Sequence, residues 1–342
     1  MPADDYEALQ GKNDLVFDSI VIDTAQKQRT KTYQTYAISG DSVDDGFDPD
    51  PAEIDYEKER IRVSWKSKRG QHFEWIMIPL LPLDEQQEKD EKRSMGRVLV
   101  FEEPNMAPGH EGDPQDYSIG IDTADGLGTE DSDRSVICVT RSMKDAAPDV
   151  QVCELANNRM SGPQTVAFAA CLAAWYGDKT IDHRGVKFAI EQRDRPGDDC
   201  QLQLKLMGFN YHHTDQRYDN KKVKEDTRGQ KEGIFMHGWF RPMITQRFTD
   251  AITGGWYIPQ SPHLIAELQD LELKIKLGKN RMEHQSGKHD DRFLAAAHSY
   301  WTRHHFDILA ERAQKKYAPP TQKLPELDFG YSSVSEVSVG DM

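Results

Sequence analysis

"GIDTADGLG", residues 120–128, decides how this chain is read. It closes the stretch "YSIGIDTAD", in which Tyr117, Ile119 and Ile121 alternate as a strand requires and Gly120 leaves room. Then comes Asp122. In open α/β sheets the carboxyl ends of strands are where ligands sit. Taken alone, Asp122 could as well shape the Thr-Ala-Asp-Gly bend. Its meaning depends on whether the rest of the chain supplies partners.

Downstream, the pattern is α/β. "RSVICVTRS" (134–142) and "VQVCELANN" (150–158) predict two further strands, so residues 117–158 form a three-stranded meander. Ser161-Gly162-Pro163 opens a helix over 163–177, with Pro in its first turn and Gly at its end. A strand follows at 185–193, then a helix over 200–208 capped by Asp198 or Asp199, then a short strand at 209–215. Helices are expected over 241–255 and 261–273. "LKIKLGKNRMEHQ" (273–285) reads as a β-hairpin about a Gly-Lys-Asn turn, and "HDDRFLAAAHSYWTRHHFDILAERAQKK" (289–316) as a long helix. The order β-β-β-α-β-α-β-α is that of a ribonuclease H-like mixed sheet with flanking helices. The tail from Ala318 (318–342) is expected to be disordered.

Upstream, residues 1–116 form a β-rich, acidic extension. "RIRVSWKS" (61–68), "HFEWIMIPL" (72–80) and "GRVLVFEEP" (96–104) predict strands, separated by acidic stretches at 40–53 and 82–94. Residues 105–115 mark a boundary, which sets the expected domains at 1–116 (linker and extension), 117–317 (the ribonuclease H-like domain) and the tail. Of the formal net charge of −15, the extension holds 26 acidic against 14 basic residues, and the remainder 32 against 29. The acidity therefore sits at the N-terminal end, and a nucleic-acid partner for the balanced remainder is compatible with the charge. Residues 1–116 are expected to be non-catalytic, linking or covering the sheet edge. No run of about 18 apolar residues occurs, so no transmembrane helix is expected. The N-terminus lacks a signal-peptide pattern, and a soluble protein is expected. Cys138, Cys153, Cys171 and Cys200 have no C-x-x-C spacing and read as reduced structural cysteines.

Three more acids border apolar elements as Asp122 does. Glu191 ends the apolar strand "FAIEQ", and Asp290 and Asp291 open a helix whose Ala295, Ala296 and Ala297 are small enough to let it lie close on a sheet. Singly, Glu191 could pair with Arg193, and Asp290 could be an N-cap for the backbone N–H groups of Arg292 and Phe293. Together the carboxylates would repel one another unless divalent cations joined them. Hard oxygen ligands suit Mg²⁺ or Mn²⁺, and two such ions clamp the attacking and leaving oxygens of an in-line phosphoryl transfer. Helical phase does not decide between Asp290 and Asp291 as the ligand, since both border the apolar face. His289 and the His-His pairs at 212–213 and 304–305 show no metal-ligand spacing and read as surface or core histidines.

"YSIGIDTADGLGTEDSDRSVICV", "FAIEQRDRPGD" and "GKHDDRFLAAAHSYW" together resemble the nuclease domain of tailed-bacteriophage terminase large subunits. The resemblance spans about 117–305, and more weakly 5–20. It implies a ribonuclease H/resolvase-like fold and an endonuclease that cuts concatemeric viral DNA during genome packaging with two metal ions. It matches Asp122 to the first-strand acid, Glu191 to the central acid and Asp291, with Asp290 beside it, to the helix acid. It implies as partners double-stranded DNA, an ATPase domain, a small terminase subunit and a portal, in the host cytoplasm. The family's motor half carries a G-x-x-x-x-G-K-[ST] loop that is not found here, since "YGDKT" (176–180) lacks the first glycine. The expectation is thus a nuclease half without the ATPase motor.

Arg193, Arg195, Lys221, Lys222 and Lys224, and Lys274, Lys276, Lys279 and Arg281 on the hairpin, are the candidates for holding DNA through its phosphates. Other readings keep the acids or the fold and change the task. A transposase or junction-resolvase-type nuclease shares the metal site. An actin-like ATPase or kinase also begins with a Gly-Ile-Asp strand, but would need phosphate-binding glycines that "DTADGLG" does not supply. A non-catalytic packaging adaptor would have no use for all three acids.

Overall fold

Four strands carry the site, and their order is the signature of the fold. β6 (Asp116–Asp122), β7 (Ser135–Ser142) and β8 (Asp149–Asn157) run antiparallel, and β9 (Lys187–Ile190) lies on the far side of β6, parallel to it. The spatial order β8-β7-β6-β9, with α2 (Gly162–Gly177) as the crossover, is the ribonuclease H-like mixed sheet. The computed structural model describes residues 14–40, 49–67, 69–83, 87, 94–113, 115–124, 132–143, 148–177, 186–191, 194–209, 233–234, 240–276, 279–284 and 289–302. The strand expected at 209–215 and the tail from Ala318 lie outside them, apart from Phe209, which is not in a strand.

The N-terminal residues continue this sheet. β5 (Val98–Val100) pairs with β8, and β2 (Gln34–Gly40), β4 (His72–Leu80) and β3 (Ile61–Lys66) follow it outward, all antiparallel. The boundary expected near 116 therefore crosses one continuous sheet. β2 is a strand that the sequence reading does not anticipate. It pairs on both sides, so its apolar residues Tyr36, Ala37 and Ile38 are all buried. Two-residue β10 (Tyr257–Ile258) lies parallel to the start of β8.

Helices cover both faces. On one side α2 and α3 (Asp194–Leu206) pack on Ile119, Ile121, Ile137, Val139, Phe188 and Ile190. α2 is apolar nearly all round because it is buried nearly all round, between the sheet, α3 and the added strands, with Trp75 and Tyr36 set edge-on to Phe168 and Trp175. On the other side lie α1 (Ser19–Gln28), α4 (Phe240–Thr253), α5 (Pro262–Gln269) and α6 (291–302), against Val136, Cys138, Ala156 and Ala189. All four cysteines are buried and free.

α3 begins at Asp194, earlier than the 200–208 expected. The helix expected over 261–273 ends at Gln269, and Leu271–Lys276 is strand β11 instead. β11 pairs with β12 (Lys279–His284), and β1 (Asp14–Leu15) adds a third strand. The pairing of Lys276 with Lys279 leaves two residues for the connection, so Lys279 and Asn280 belong to the strand rather than to a Gly-Lys-Asn turn. Among the described residues no helix is long and apolar enough to cross a membrane.

α6 lies on β6 with almost no clearance. A Cβ on Gly120 would stand 2.0 Å from the Ala295 carbonyl oxygen and 2.4 Å from the Ser299 nitrogen, so only glycine fits. Ala295, Ala296 and Ala297 are fully buried. The Ser118 hydroxyl donates to the Ser299 carbonyl at 2.8 Å, and the Thr140 and Ser299 hydroxyls meet at 2.6 Å. These bonds fix how far along the strand the helix stands, and so where its first residues fall.

Candidate active site

Strand alternation aims the first two acids. Side chains two apart on a strand share a face. Gly120 and Ala189 face α6, hence so do Asp122 and Glu191. The register sets Gly120 against Ala189 and Ile121 against Ile190, and the Glu191 N–H donates to the Ile121 carbonyl at 3.0 Å. The carboxylates therefore stand side by side at the carboxyl ends of two parallel strands. Asp290 and Asp291 reach the same place from the N-terminus of α6.

All four acids are buried, none more than 9% exposed. Burial pushes the Asp122 carboxyl well above the usual carboxylate range, and Glu191, Asp291 and Asp290 add repulsion in that order, with a hydrogen bond to Glu191 that favours the protonated form. Asp291 is pushed up to about 6, chiefly by burial, with Asp133 and Asp290 adding repulsion. The Arg134 backbone N–H, donating to Asp291 Oδ2 at 2.9 Å, opposes this rise. The four expected acids thus converge.

Asp290 does not cap the helix. Its Oδ2 accepts from Arg241 on α4 at 2.8 Å. The cap comes from α5: Glu267 Oε2 accepts the backbone N–H groups of Arg292 and of Phe293, each at 3.0 Å. Beneath them Arg292, 2% exposed, donates from Nη1 to Glu267 Oε1 at 3.1 Å and from Nε to Glu154 Oε1 at 2.9 Å. Glu154 also accepts from Ser261 and Gln151. A guanidinium this deeply buried needs both carboxylates, and leaving either side unpaired costs about 3–5 kcal/mol. The network anchors the start of α6, and with it Asp291, to the sheet.

The structure adds residues that carry no signal in the sequence. His289 Nδ1 lies 3.6 Å from Asp291 Oδ2 and 3.9 Å from Asp133 Oδ1. One ligand atom from each of these three residues falls within 4.8 Å of the others, a grouping able to hold a metal ion. His289 thus lies against Asp291, and Asp133, just before β7, comes from a different loop. Neither shows a motif in sequence, because the two loops that meet here, as in the bond from Arg134 to Asp291, are 157 residues apart in the chain. His298, fully buried on α6, is equally silent in sequence. Burial lowers the basicity of its ring, against Glu191 and the Ile121 carbonyl, which raise it.

The carboxylates suit divalent cations. Among the described residues no ion pair reaches Asp122 or Glu191, and Glu191 Oε2 is buried without a hydrogen-bond partner. Arg241 engages Asp290, and the Arg134 guanidinium lies toward Glu267, at 3.9 Å. An excess of buried acid with an orphaned oxygen fits Mg²⁺ or Mn²⁺, which favour carboxylate oxygens and keep waters. Of the expected DNA-binding residues, Arg193, Lys221, Lys222 and Lys224 lie outside the described residues. The side chains of Arg195, Lys274, Lys276, Lys279 and Arg281 do too. The backbone register pairs Lys274 with Arg281 and Lys276 with Lys279.

No family model matches the sequence, and no curated protein matches it either. Among solved structures, the fold is similar to that of the large terminase nuclease from thermophilic phage G20c, crystallised with bound cobalt. The match has a TM-score of 0.41 and 16% identity, over 60% of this chain and 86% of that one. At that distance no residue role passes from one chain to the other.

Proposed function

We propose that this chain is a divalent-metal-dependent endonuclease that hydrolyses DNA phosphodiester bonds. The observation that carries the reading is the convergence of Asp122, Glu191, Asp290 and Asp291, all buried, at two strand ends and a helix start, with Arg241 bonded to Asp290. Asp122, Glu191 and Asp291 would hold metal; Asp291 is also part of the grouping with Asp133 and His289 that could take an ion. Bound Mg²⁺ or Mn²⁺, as a pair, would supply Lewis-acid activation of water and neutralise charge on the phosphate oxygens.

The chain's own residues supply the rest. The Arg134 N–H holds Asp291 at one oxygen, which orients the other oxygen. Arg241, its side chain 35% exposed, keeps N–H donors beyond those spent on Asp290 and offers them to a phosphate oxygen at the rim. The sequence shows no base-reading motif, so cleavage is expected to show little sequence preference, with affinity supplied through phosphates.

The resemblance to terminase nuclease domains extends the proposal to a role. The substrate is concatemeric viral double-stranded DNA, cut during genome packaging in the host cytoplasm. The partners are an ATPase domain, a small terminase subunit and a portal. A plasmid-cleavage assay tests the chemistry: nicking and linearisation with Mg²⁺ or Mn²⁺, none with chelator, and none for Asp122→Asn. Cleavage that persists in Asp122→Asn or without divalent ions overturns it. A panel of linear, branched and supercoiled DNA separates the packaging role from a junction-resolving one.

A further inference from the structure

A helix start leaves its first N–H groups in need of acceptors, and the side chain of the residue just before the helix normally takes one of them. At α6 that residue is Asp290, whose carbonyl accepts the Leu294 N–H at 2.9 Å. Its carboxylate accepts from Arg241 instead of from its own helix. Glu267 takes over the cap from α5: a single oxygen, Oε2, accepts the N–H groups of both Arg292 and Phe293. Its other oxygen, Oε1, lies 3.1 Å from Arg292 Nη1 and 3.9 Å from Arg134 Nη1. These two arginines flank Asp291. Arg292 follows it in the chain, and the Arg134 N–H donates to its Oδ2. One side chain therefore reaches both segments that hold Asp291.

Glu267 is itself held in place. It is 8% exposed, and its helix is capped by Ser261, whose hydroxyl accepts the Leu264 N–H at 3.2 Å and donates to Glu154 at 2.8 Å. We propose that Glu267 is a positioning residue for the metal site: by capping α6 from outside and bracing Arg134 and Arg292, it leaves the Asp290 carboxylate out of the helix cap and holds Asp291 at the acidic cluster. Without Glu267, the acceptor closest in the chain to the uncapped N–H groups is Asp290, and the first turn of α6 loses its tie to α5. Outer residues that orient metal ligands typically weaken metal binding about 10- to 100-fold when lost. The inference rests on the metal-dependent reading above.

The experiment compares the unmutated full chain with Glu267→Asp, which keeps the charge and shortens the side chain by one methylene. Thermal unfolding without metal comes first, then Mn²⁺ titration calorimetry at a temperature where both proteins are folded. Glu267→Asp is expected to bind Mn²⁺ at least about tenfold more weakly. Because the charge is kept, that loss reports geometry rather than electrostatics. Unchanged Mn²⁺ affinity, even with a lowered unfolding temperature, makes Glu267 a structural residue only and overturns the inference while leaving the nuclease reading intact. Absence of Mn²⁺ binding by the unmutated chain overturns both. Amide hydrogen exchange of the metal-free, unmutated chain is a check that needs no folded variant: the Arg292 and Phe293 N–H groups are expected to exchange as slowly as those inside α6. Exchange as fast as that of exposed connections means that the start of α6 is not held, and overturns the inference.

Discussion

Glu267 grips Arg292 twice, accepting its backbone N–H at 3.0 Å through one oxygen and its guanidinium at 3.1 Å through the other. One side chain thus serves as helix cap and as counter-ion. Burial nevertheless pushes its carboxyl up to about 8, against the pull of Arg292. A folded-state pKa raised above the unfolded value means that the native chain binds the extra proton. Stability is therefore full below the ordinary carboxylate range and is lost as pH rises toward 8. Asp291, raised to about 6, and Asp122 act in the same direction. The unfolding temperature of the metal-free protein is expected to fall between pH 5 and pH 8, and Glu267→Gln to flatten part of that slope. A flat or rising profile in thermal melts contradicts it.

Metal should reverse this trend. A cation binds the deprotonated acids, so its affinity grows as the protons leave. The stabilisation by a fixed excess of Mn²⁺ is expected to increase from pH 5.5 to pH 8, worth about 2.7 kcal/mol at a hundredfold excess over the dissociation constant. Paired melts with and without Mn²⁺ across pH give the answer. A shift that shrinks with pH would place the metal on other ligands.

The two adjacent aspartates are expected to separate cleanly. Asp291→Asn removes a charge from the centre of the cluster and should abolish cleavage with the fold retained. Asp290→Asn loses only the ion pair to Arg241 and should reduce cleavage about 10- to 100-fold. Circular dichroism and plasmid nicking on both variants decide it, and the reverse ranking would exchange their roles.

The hairpin offers a test through salt. Like charges set opposite each other across a strand pair weaken it, and the backbone register here pairs Lys274 with Arg281 and Lys276 with Lys279. A polyanion is the natural relief. Replacing Lys276 and Lys279 with Ala is expected to weaken DNA binding, and to lower the slope of log affinity against log salt by about 0.9 for each phosphate that is no longer neutralised. An unchanged slope removes the hairpin from the DNA path.

Sequence alone is enough for the element order from β6 to β9 and for the place of Asp122 and Glu191 at strand ends, where alternation ends in an acid, but not for the continuation of the sheet through β5, β2, β4 and β3. Gly120 and the three alanines signal a close helix for the same local reason. What the sequence hides is tertiary. Leu271 and Leu273 continue the apolar phase of α5, yet the helix closes at Asp270 and the chain pairs with β12. Asp290 has the position of a cap, but Glu267 arrives from another helix to fill that role. Arg292 looks like a surface residue in "HDDRF" and is instead among the most buried side chains. Asp133 and His289 meet only after folding.

Removing residues 1–111 is expected to leave the remainder insoluble rather than active. The cut would open β8 along its pairing with β5 and uncover the α2 face that Tyr36, Trp75 and Met77 now shield. Expression of such a truncation, with light scattering, tests this. A monodisperse truncated protein would show that the core stands without the added strands.

The seating of β5 between β2 and β8 also sets an order of events on the ribosome. Val98 pairs with Leu155, so strands completed by residue 100 have no final neighbour until residue 157 is made. At roughly 5–20 residues per second, that is an interval of roughly 3 to 11 seconds. Through that interval the nascent chain presents a buried-type strand, Val98–Val100, with one edge unpaired. β6 waits in the same way for β9, whose Ala189 lies beside Gly120. The acids of the site can therefore meet only after Asp290 and Asp291 have left the exit tunnel, when Asp122 and Glu191 have long been made.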